Sequence, residues 1–117
     1  MQDCLFCKII SKEIPTKFTY QDKDIVAFPD INPKAPVHIL IVPREHIDSV
    51  AVLPEDRQIL AGKMFIVAQK VAEKFGISKS GYRLIVNCRR NAGQLVDHLH
   101  MHLLGGKYLG PEVCDKG

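Results

Sequence analysis
Three histidines alternate with apolar residues in the run His98-Leu99-His100-Met101-His102, and two cysteines stand three positions apart at Cys4 and Cys7. Imidazole can act as nucleophile, proton carrier or metal ligand at neutral pH, because its ordinary pKa lies near ~6.5. Side chains in an extended chain alternate faces. The spacing therefore predicts His98, His100 and His102 on one side and Leu99, Met101 and Leu103 on the other. Successive imidazoles would be rooted about 6 to 7 Å apart, from a rise of ~3.3 Å per residue, which lets them act on one substrate group. The chain holds five histidines, so three at one spacing is a concentration that a merely solvated strand face does not explain. A metal-binding strand is the other reading. Cys4-Leu5-Phe6-Cys7 has the spacing of half a zinc site and equally of a redox pair, and the redox motif calls for a preceding strand that the position of Cys4 disfavours.

The elements that must hold these groups follow from periodicity and breakers. Leu5, Ile9 and Ile10 with Lys8 and Lys12 opposite predict a short helix within 4–13, stopped by Pro15. Segments 17–21 and 25–28, split by Asp22-Lys23-Asp24, predict a hairpin, and 37–42 is a β-branched run closed by Pro43. Pro54 at a first helical position, followed by Glu55 and Asp56, opens the one long helix. Leu60, Met64, Val67, Val71 and Phe75 form its core stripe and Gly76 its stop. Segments 82–87 and 98–104 are the last strands, with a polar loop between them at 88–94. The expected fold class is α+β: an antiparallel five-stranded sheet with one long helix and a short N-terminal helix. One helix covers only part of such a sheet, which favours a second subunit.

The chain has 117 residues, the size of one domain, and that length can bury a core without staples. Its net charge of +3 is dispersed, which argues against a nucleic-acid partner. No secretory leader and no apolar run of about 18 residues is visible, so neither export nor membrane insertion is expected. A cytoplasmic setting follows, where thiols stay reduced and cysteines serve as metal ligands or buried groups.

The run from His98 to Leu104 resembles the His-x-His-x-His-x-x signature of the histidine triad (HIT) superfamily. Ile9-Ile10-Ser11-Lys12-Glu13-Ile14-Pro15, Phe28-Pro29-Asp30-Ile31-Asn32-Pro33, Ala35-Pro36-Val37-His38, Gly81-Tyr82-Arg83, Gly93-Gln94 and Gly105-Gly106 resemble its Hint branch of nucleotide-binding proteins. The likeness runs from about Cys4 to Gly106. It implies a HIT-like fold, a homodimer with a shared sheet, and hydrolysis of nucleoside 5'-phosphoramidates and related nucleotidyl conjugates. His100 would be the nucleophile that forms a nucleotidyl-histidine, with His102 on the phosphate and leaving-group side and His38 sharing in protonation of the leaving amine. Asp30 would accept the ribose hydroxyls. Phe6, Ile9, Phe28 and Ile31 would flank a purine base, while Asn87, Gly93 and Gln94 would meet ribose or phosphate.

The same resemblance completes the cysteine pair with His46, in Pro43-Arg44-Glu45-His46, and with His98. Two thiolates and two imidazoles fill a tetrahedral zinc site, so that zinc would be structural, and no catalytic divalent cation is expected. Two positions depart from the pattern. Leu95 stands where many relatives carry a polar side chain, and Asp97 replaces an aromatic, adding a negative charge unless it points away or pairs with Arg89 or Arg90. Alternative activities are dinucleoside polyphosphate hydrolysis and nucleotidyl transfer, the latter disfavoured by His102 because that branch resembles His-x-His-x-Gln. A nucleotide-binding or interaction module with incidental turnover is the alternative from another class.

Overall fold
The computed structural model describes residues 4–111. Helix α1 spans Leu5–Ile10, shorter than the 4–13 expected. Cys4 caps it by accepting the Cys7 N–H on its sulfur, and Ser11 ends it, followed by Lys12 in the left-handed region at φ 72°. Strands β1 (Tyr20–Gln21), β2 (Ile25–Pro29), β3 (Val37–Pro43), β4 (Tyr82–Ile85) and β5 (Met101–Gly105) form one antiparallel sheet in the order β1-β2-β3-β5-β4. Helix α2, Gln58–Lys74, is the long one. It is led by a 3-10 turn at Glu55–Arg57, so Pro54 is the residue before that turn, in an extended conformation, and not the first helical residue.

Both faces of the central strands are covered, which explains why β2 and β3 read as nearly continuous apolar runs. On one face Ile25, Ala27, Ile39, Ile41, Met101 and Leu103 pack against Met64, Val67, Ala68, Val71 and Ala72 of α2. On the other, Val26, Phe28, Leu40 and Val42 pack against Phe6 and Ile9 of α1. Phe75 does not join the stripe: it is the cap residue of α2 and is exposed, and the chain reverses at Gly76 with φ 72°.

Two predicted strands are shorter than expected. The β4 ladder ends at Ile85, and β5 begins at Met101, so His98 and His100 lie in a lead-in outside the ladder. Met101 faces Ile41 on β3, and two residues later β3 closes at Pro43, which has no N–H to continue the pairing. The lead-in is held differently: Leu99 N–H donates to the carbonyl of Ile47 at 2.7 Å and His98 N–H to that of Val96 at 2.9 Å. The segment read as a polar loop contains a one-turn helix, α3, at Arg89–Ala92. Gly93 closes it in the left-handed region at φ 84°.

Candidate active site
His38 on β3 and His102 on β5 lie on the α1 side of the sheet, because His102 is directly across from Leu40 and His38 is two residues from Leu40. His100 continues that side into the lead-in. Its ring stands 5.0 Å from that of His102, and Phe6 approaches it edge-on at 5.0 Å. The alternation predicted from spacing is therefore preserved, but the three imidazoles do not address one group. His98 turns to the cysteines.

Hydrogen-bond partners determine which nitrogen of each ring carries its proton. His100 Nδ1 lies 2.7 Å from the carbonyl of His98. A carbonyl only accepts, so Nδ1 is the donor and the Nε2 of neutral His100 is left as a lone pair. His38 Nδ1 receives the backbone N–H of Lys34 at 3.0 Å, while its Nε2 lies 2.9 Å from His102 Nδ1 and 3.4 Å from the Asp30 carboxylate. Burial lowers the pKa of His100, His38 and His102, the last to about 4, where His100 and His38 add to the effect. An imidazole already neutral at pH 7 is what nucleophilic attack requires.

A second cluster lies beside the first. The sulfurs of Cys4 and Cys7 and the Nδ1 atoms of His46 and His98 all fall within 4.8 Å of one another, a set that can hold a metal ion. Cys4 Sγ to His98 Nδ1 is 3.4 Å, Cys7 Sγ to His46 Nδ1 3.3 Å and Cys7 Sγ to His98 Nδ1 3.7 Å. The far nitrogens face acceptors, the Pro43 carbonyl for His98 at 2.8 Å and the Asp48 carboxylate for His46 at 2.7 Å. Both rings thus turn a lone pair inward, the orientation that metal-binding histidines adopt. Burial and the neighbouring Cys4 thiol push Cys7 up to about 11, and a bound cation would offset this by favouring the thiolate. Asp48 was not among the residues picked out from sequence, although a carboxylate two positions after a candidate ligand was an available signal.

The nucleotide-pocket candidates are distributed unevenly. Phe6, Ile9 and Phe28 share one buried cluster, with the Phe6 and Phe28 rings 5.6 Å apart, and Val96, missed in the sequence, packs on it. Ile31 is 98 % exposed. Asp30 closes an Asx turn, accepting the Asn32 N–H at 2.8 Å. Asn87 is half-buried two residues past β4, and Gly93 is exposed.

Gln94 differs from the expectation that its amide would donate to a phosphate. It is 2 % exposed, and its NH2 donates to the carbonyls of Asp48 and Val96 at 2.8 and 2.9 Å, while its oxygen accepts the Arg89 N–H at 2.7 Å. Arg89 has φ 66°, so Gln94 braces a strained turn beside the loop that carries His46 and Asp48. Gln94→Leu should strand these backbone groups and destabilise the fold by roughly 2–4 kcal/mol, measured by urea unfolding. Asp97 pairs with Arg90 through two contacts, the shorter 3.2 Å, which neutralises the charge raised as a concern. Leu95 is 91 % exposed.

The HIT domain family model matches residues 11–109. The chain belongs to the HIT domain family. Over 116 residues it is 48 % identical to the purine nucleoside phosphoramidase of Escherichia coli strain K12, covering 99 % of this chain and 98 % of that one. Among solved structures, the HIT family hydrolase of Clostridium thermocellum has a TM-score of 0.94 at 48 % identity, with 97 % of this chain and 99 % of that one covered. A histidine triad protein from Clostridium difficile has a TM-score of 0.92 at 42 % identity, with 95 % and 96 % covered. Both likenesses extend to the whole α+β architecture of this HIT chain. Among its described residues no helix is long and apolar enough to cross a membrane.

Proposed function
We propose that the chain is a purine nucleoside phosphoramidase-type hydrolase that cleaves nucleoside 5'-phosphoramidates and related nucleotidyl conjugates through a covalent intermediate on His100. The carrying observation is the 2.7 Å bond between His100 Nδ1 and the His98 carbonyl, which leaves Nε2 as the nucleophilic lone pair. The 48 % identity to a purine nucleoside phosphoramidase supports the substrate class.

In the first step His100 Nε2 attacks the α-phosphorus and the phosphorus–nitrogen bond breaks. The His98 carbonyl then stabilises the positive charge on the nucleotidylated ring through Nδ1–H. His102 donates to a phosphoryl oxygen, meeting charge as it develops. The amine leaves with a proton taken from solvent. Water then cleaves the phosphorus–histidine bond and returns a proton, so one water is consumed overall. Asp30 takes the ribose hydroxyls, Ile31 and the Phe6, Ile9, Phe28 cluster provide the apolar surroundings of a purine, and Asn87 and the Gly93 backbone face the sugar-phosphate. Among the described residues the imidazole face carries no carboxylate pair to hold magnesium against the phosphates, so no catalytic divalent cation is required.

Cys4, Cys7, His46 and His98 would hold zinc in the second cluster, in a structural role. With Zn–S about 2.3 Å and Zn–N about 2.0–2.1 Å, a tetrahedral site sets sulfur and nitrogen roughly 3.5 Å apart. The separations of 3.3, 3.4 and 3.7 Å fit that edge. Four protein ligands would leave no open position, so a bound ion would tie α1 to the lead-in of His100 without entering the reaction. The functional unit is a homodimer, cytoplasmic, with a purine nucleotide as its partner and no nucleic acid or membrane. Edge strand β4 and the exposed Ile59, Phe65 and Ile66 of α2 favour a second copy that extends the sheet.

The pH dependence follows from burial. His102 is lowered from 6.5 to about 4 and His38 is lowered as well, chiefly by desolvation. Well above about pH 6.5 the folded and unfolded chains are both neutral at these sites. Below it the unfolded chain takes up protons that the folded chain refuses, so stability falls with pH until about 4. Activity, which needs the neutral rings, should stay level from about pH 8 down to about 6.5, the value of free histidine, and fall only below it because burial lowers His100, His38 and His102. A kcat/KM profile with its acid midpoint at or above 7 would contradict this.

The function is tested by assaying adenosine 5'-phosphoramidate and a diadenosine polyphosphate side by side, after EDTA treatment with bound zinc measured in parallel. Faster phosphoramidate turnover without added magnesium is expected. Preference for the polyphosphate, or activity restored by magnesium at constant zinc, would overturn it. Nucleotide binding without turnover would mark a binding module.

A further inference from the structure
The two donor clusters are equally crowded, and the far side of each imidazole tells them apart. In the cysteine cluster both rings give Nε2–H to an acceptor, so the inward Nδ1 atoms are lone pairs. The second group, Asp30, His38 and His102, also has its donor atoms within 4.8 Å of one another. Two imidazoles and a carboxylate are a common set for a transition-metal ion. Here, however, the far nitrogen of His38 faces a donor, the backbone N–H of Lys34 at 3.0 Å. An amide N–H cannot accept, so Nδ1 holds the lone pair and the ring proton sits on Nε2, pointing into the cluster.

We propose that the backbone amide of Lys34 is a tautomer lock: it fixes His38 as Nε2–H, making His38 a positioning residue for His102 and closing this cluster to metal ions. The proposal deepens the phosphoramidase reading and rests on it for the roles of His100 and His102. The His38 Nε2–H donates to His102 Nδ1 at 2.9 Å, with the Asp30 carboxylate at 3.4 Å beside it. His102 accepts at Nδ1, so its own proton is on Nε2, available to the substrate on the face it shares with His100. A metal ion would need the His38 Nε2 lone pair, which the lock removes.

The lock also restricts what His38 can do. Giving up Nε2–H would make the ring an imidazolate, and a second proton on Nδ1 would set it against the Lys34 N–H. His38 therefore orients His102 and does not carry the proton to the leaving amine. The loop holds the amide in place: Asp30 closes the turn at Asn32, the Lys34 ammonium returns to the Asn32 carbonyl at 3.1 Å, and Asp30 N–H bonds the His38 carbonyl at 2.9 Å. Pro33 and Pro36 stiffen both flanks.

Nitrogen-15 NMR of the imidazole rings in the full chain reads the tautomers directly. His38 and His102 should be Nε2–H and His100 Nδ1–H. Titration with zinc should saturate at one ion per chain without moving the His38 and His102 resonances. In kinetics, His38→Gln keeps a side-chain N–H to aim at His102 but cannot exchange a proton, and it should retain activity within about tenfold of wild type, whereas His38→Leu should lose about a hundredfold. An Nδ1–H form of His38, a second zinc held by Asp30 and His102, or a Gln variant as inactive as the Leu variant would overturn the proposal. Absence of phosphoramidase turnover in the wild type would instead count against the underlying reading, and the NMR result would still decide the lock.

Discussion
Replacing His100 by Ala should lower phosphoramidate turnover by at least about a thousandfold while leaving nucleotide affinity within about tenfold. The size of the effect follows from the number of groups that can replace the nucleophile. His98 turns both nitrogens elsewhere, to the cysteine sulfurs and to the Pro43 carbonyl. His102 Nδ1 is engaged with His38, and the tautomer proposed above puts the proton on its remaining nitrogen. Without His100 the reaction would need direct attack by water on an anionic phosphorus. Binding should survive because Asp30, proposed to take the ribose, and the apolar cluster around Phe28 keep their own supports without His100. Calorimetric titration with adenosine monophosphate beside a turnover assay separates the two. A variant with more than a few per cent of wild-type rate would exclude His100 as the nucleophile.

Cys4→Ser should lose the bound zinc and lower Tm by more than about 10 °C, while turnover per folded molecule falls by less than about tenfold. Serine isolates the metal contribution. Cys4 is the cap of α1, its sulfur accepting the Cys7 N–H at 3.3 Å, and serine is itself a good helix cap, so the local helix end survives the change. What is lost is a thiolate ligand in a site joining α1 to His98 and, through Phe6, to the edge of the His100 ring. An apparent structural-zinc contribution of about 10 kcal/mol in small peptides makes the expected loss of several kcal/mol conservative. Metal analysis and thermal unfolding test it together. A wild type that holds no zinc when prepared without chelators, or a Cys4→Ser variant with unchanged Tm, would contradict the structural role.

Much of the architecture was legible because period and punctuation agree. The β-branched run ending at Pro43, the α2 stripe and the left-handed stop at Gly76 are local signals, and tertiary packing did not override them. The misplaced start of the last strand has one cause, the need for a partner. Nothing within residues 98–104 says that the strand facing them stops at Pro43, so the pattern alone places the start of the strand three residues too early. The α3 turn carries the same glycine signal at Gly93 as a longer helix, but one turn has too little periodicity to stand out. For the site, side-chain types and spacing pointed to the histidine run and the cysteine pair, while Asp30 and the ligands His46 and His98 were reached only through the family resemblance. They could not reveal the Lys34 amide or the His98 and Pro43 carbonyls, because every residue carries such groups and only the fold decides which of them meets an imidazole. Gln94 shows the converse: a polar side chain near a phosphate-binding candidate is occupied entirely by the backbone.

The central claim is a covalent nucleotidyl group on His100. The enzyme should be mixed with adenosine 5'-phosphoramidate, quenched within the first turnover under conditions that preserve phosphorus–nitrogen bonds, and examined by intact mass and peptide mapping. One adenylyl group per active site, located on His100 and absent from His100→Ala, is the predicted result. Turnover at the normal rate with no adduct at any quench time, or an adduct on His102 or His38, would contradict it.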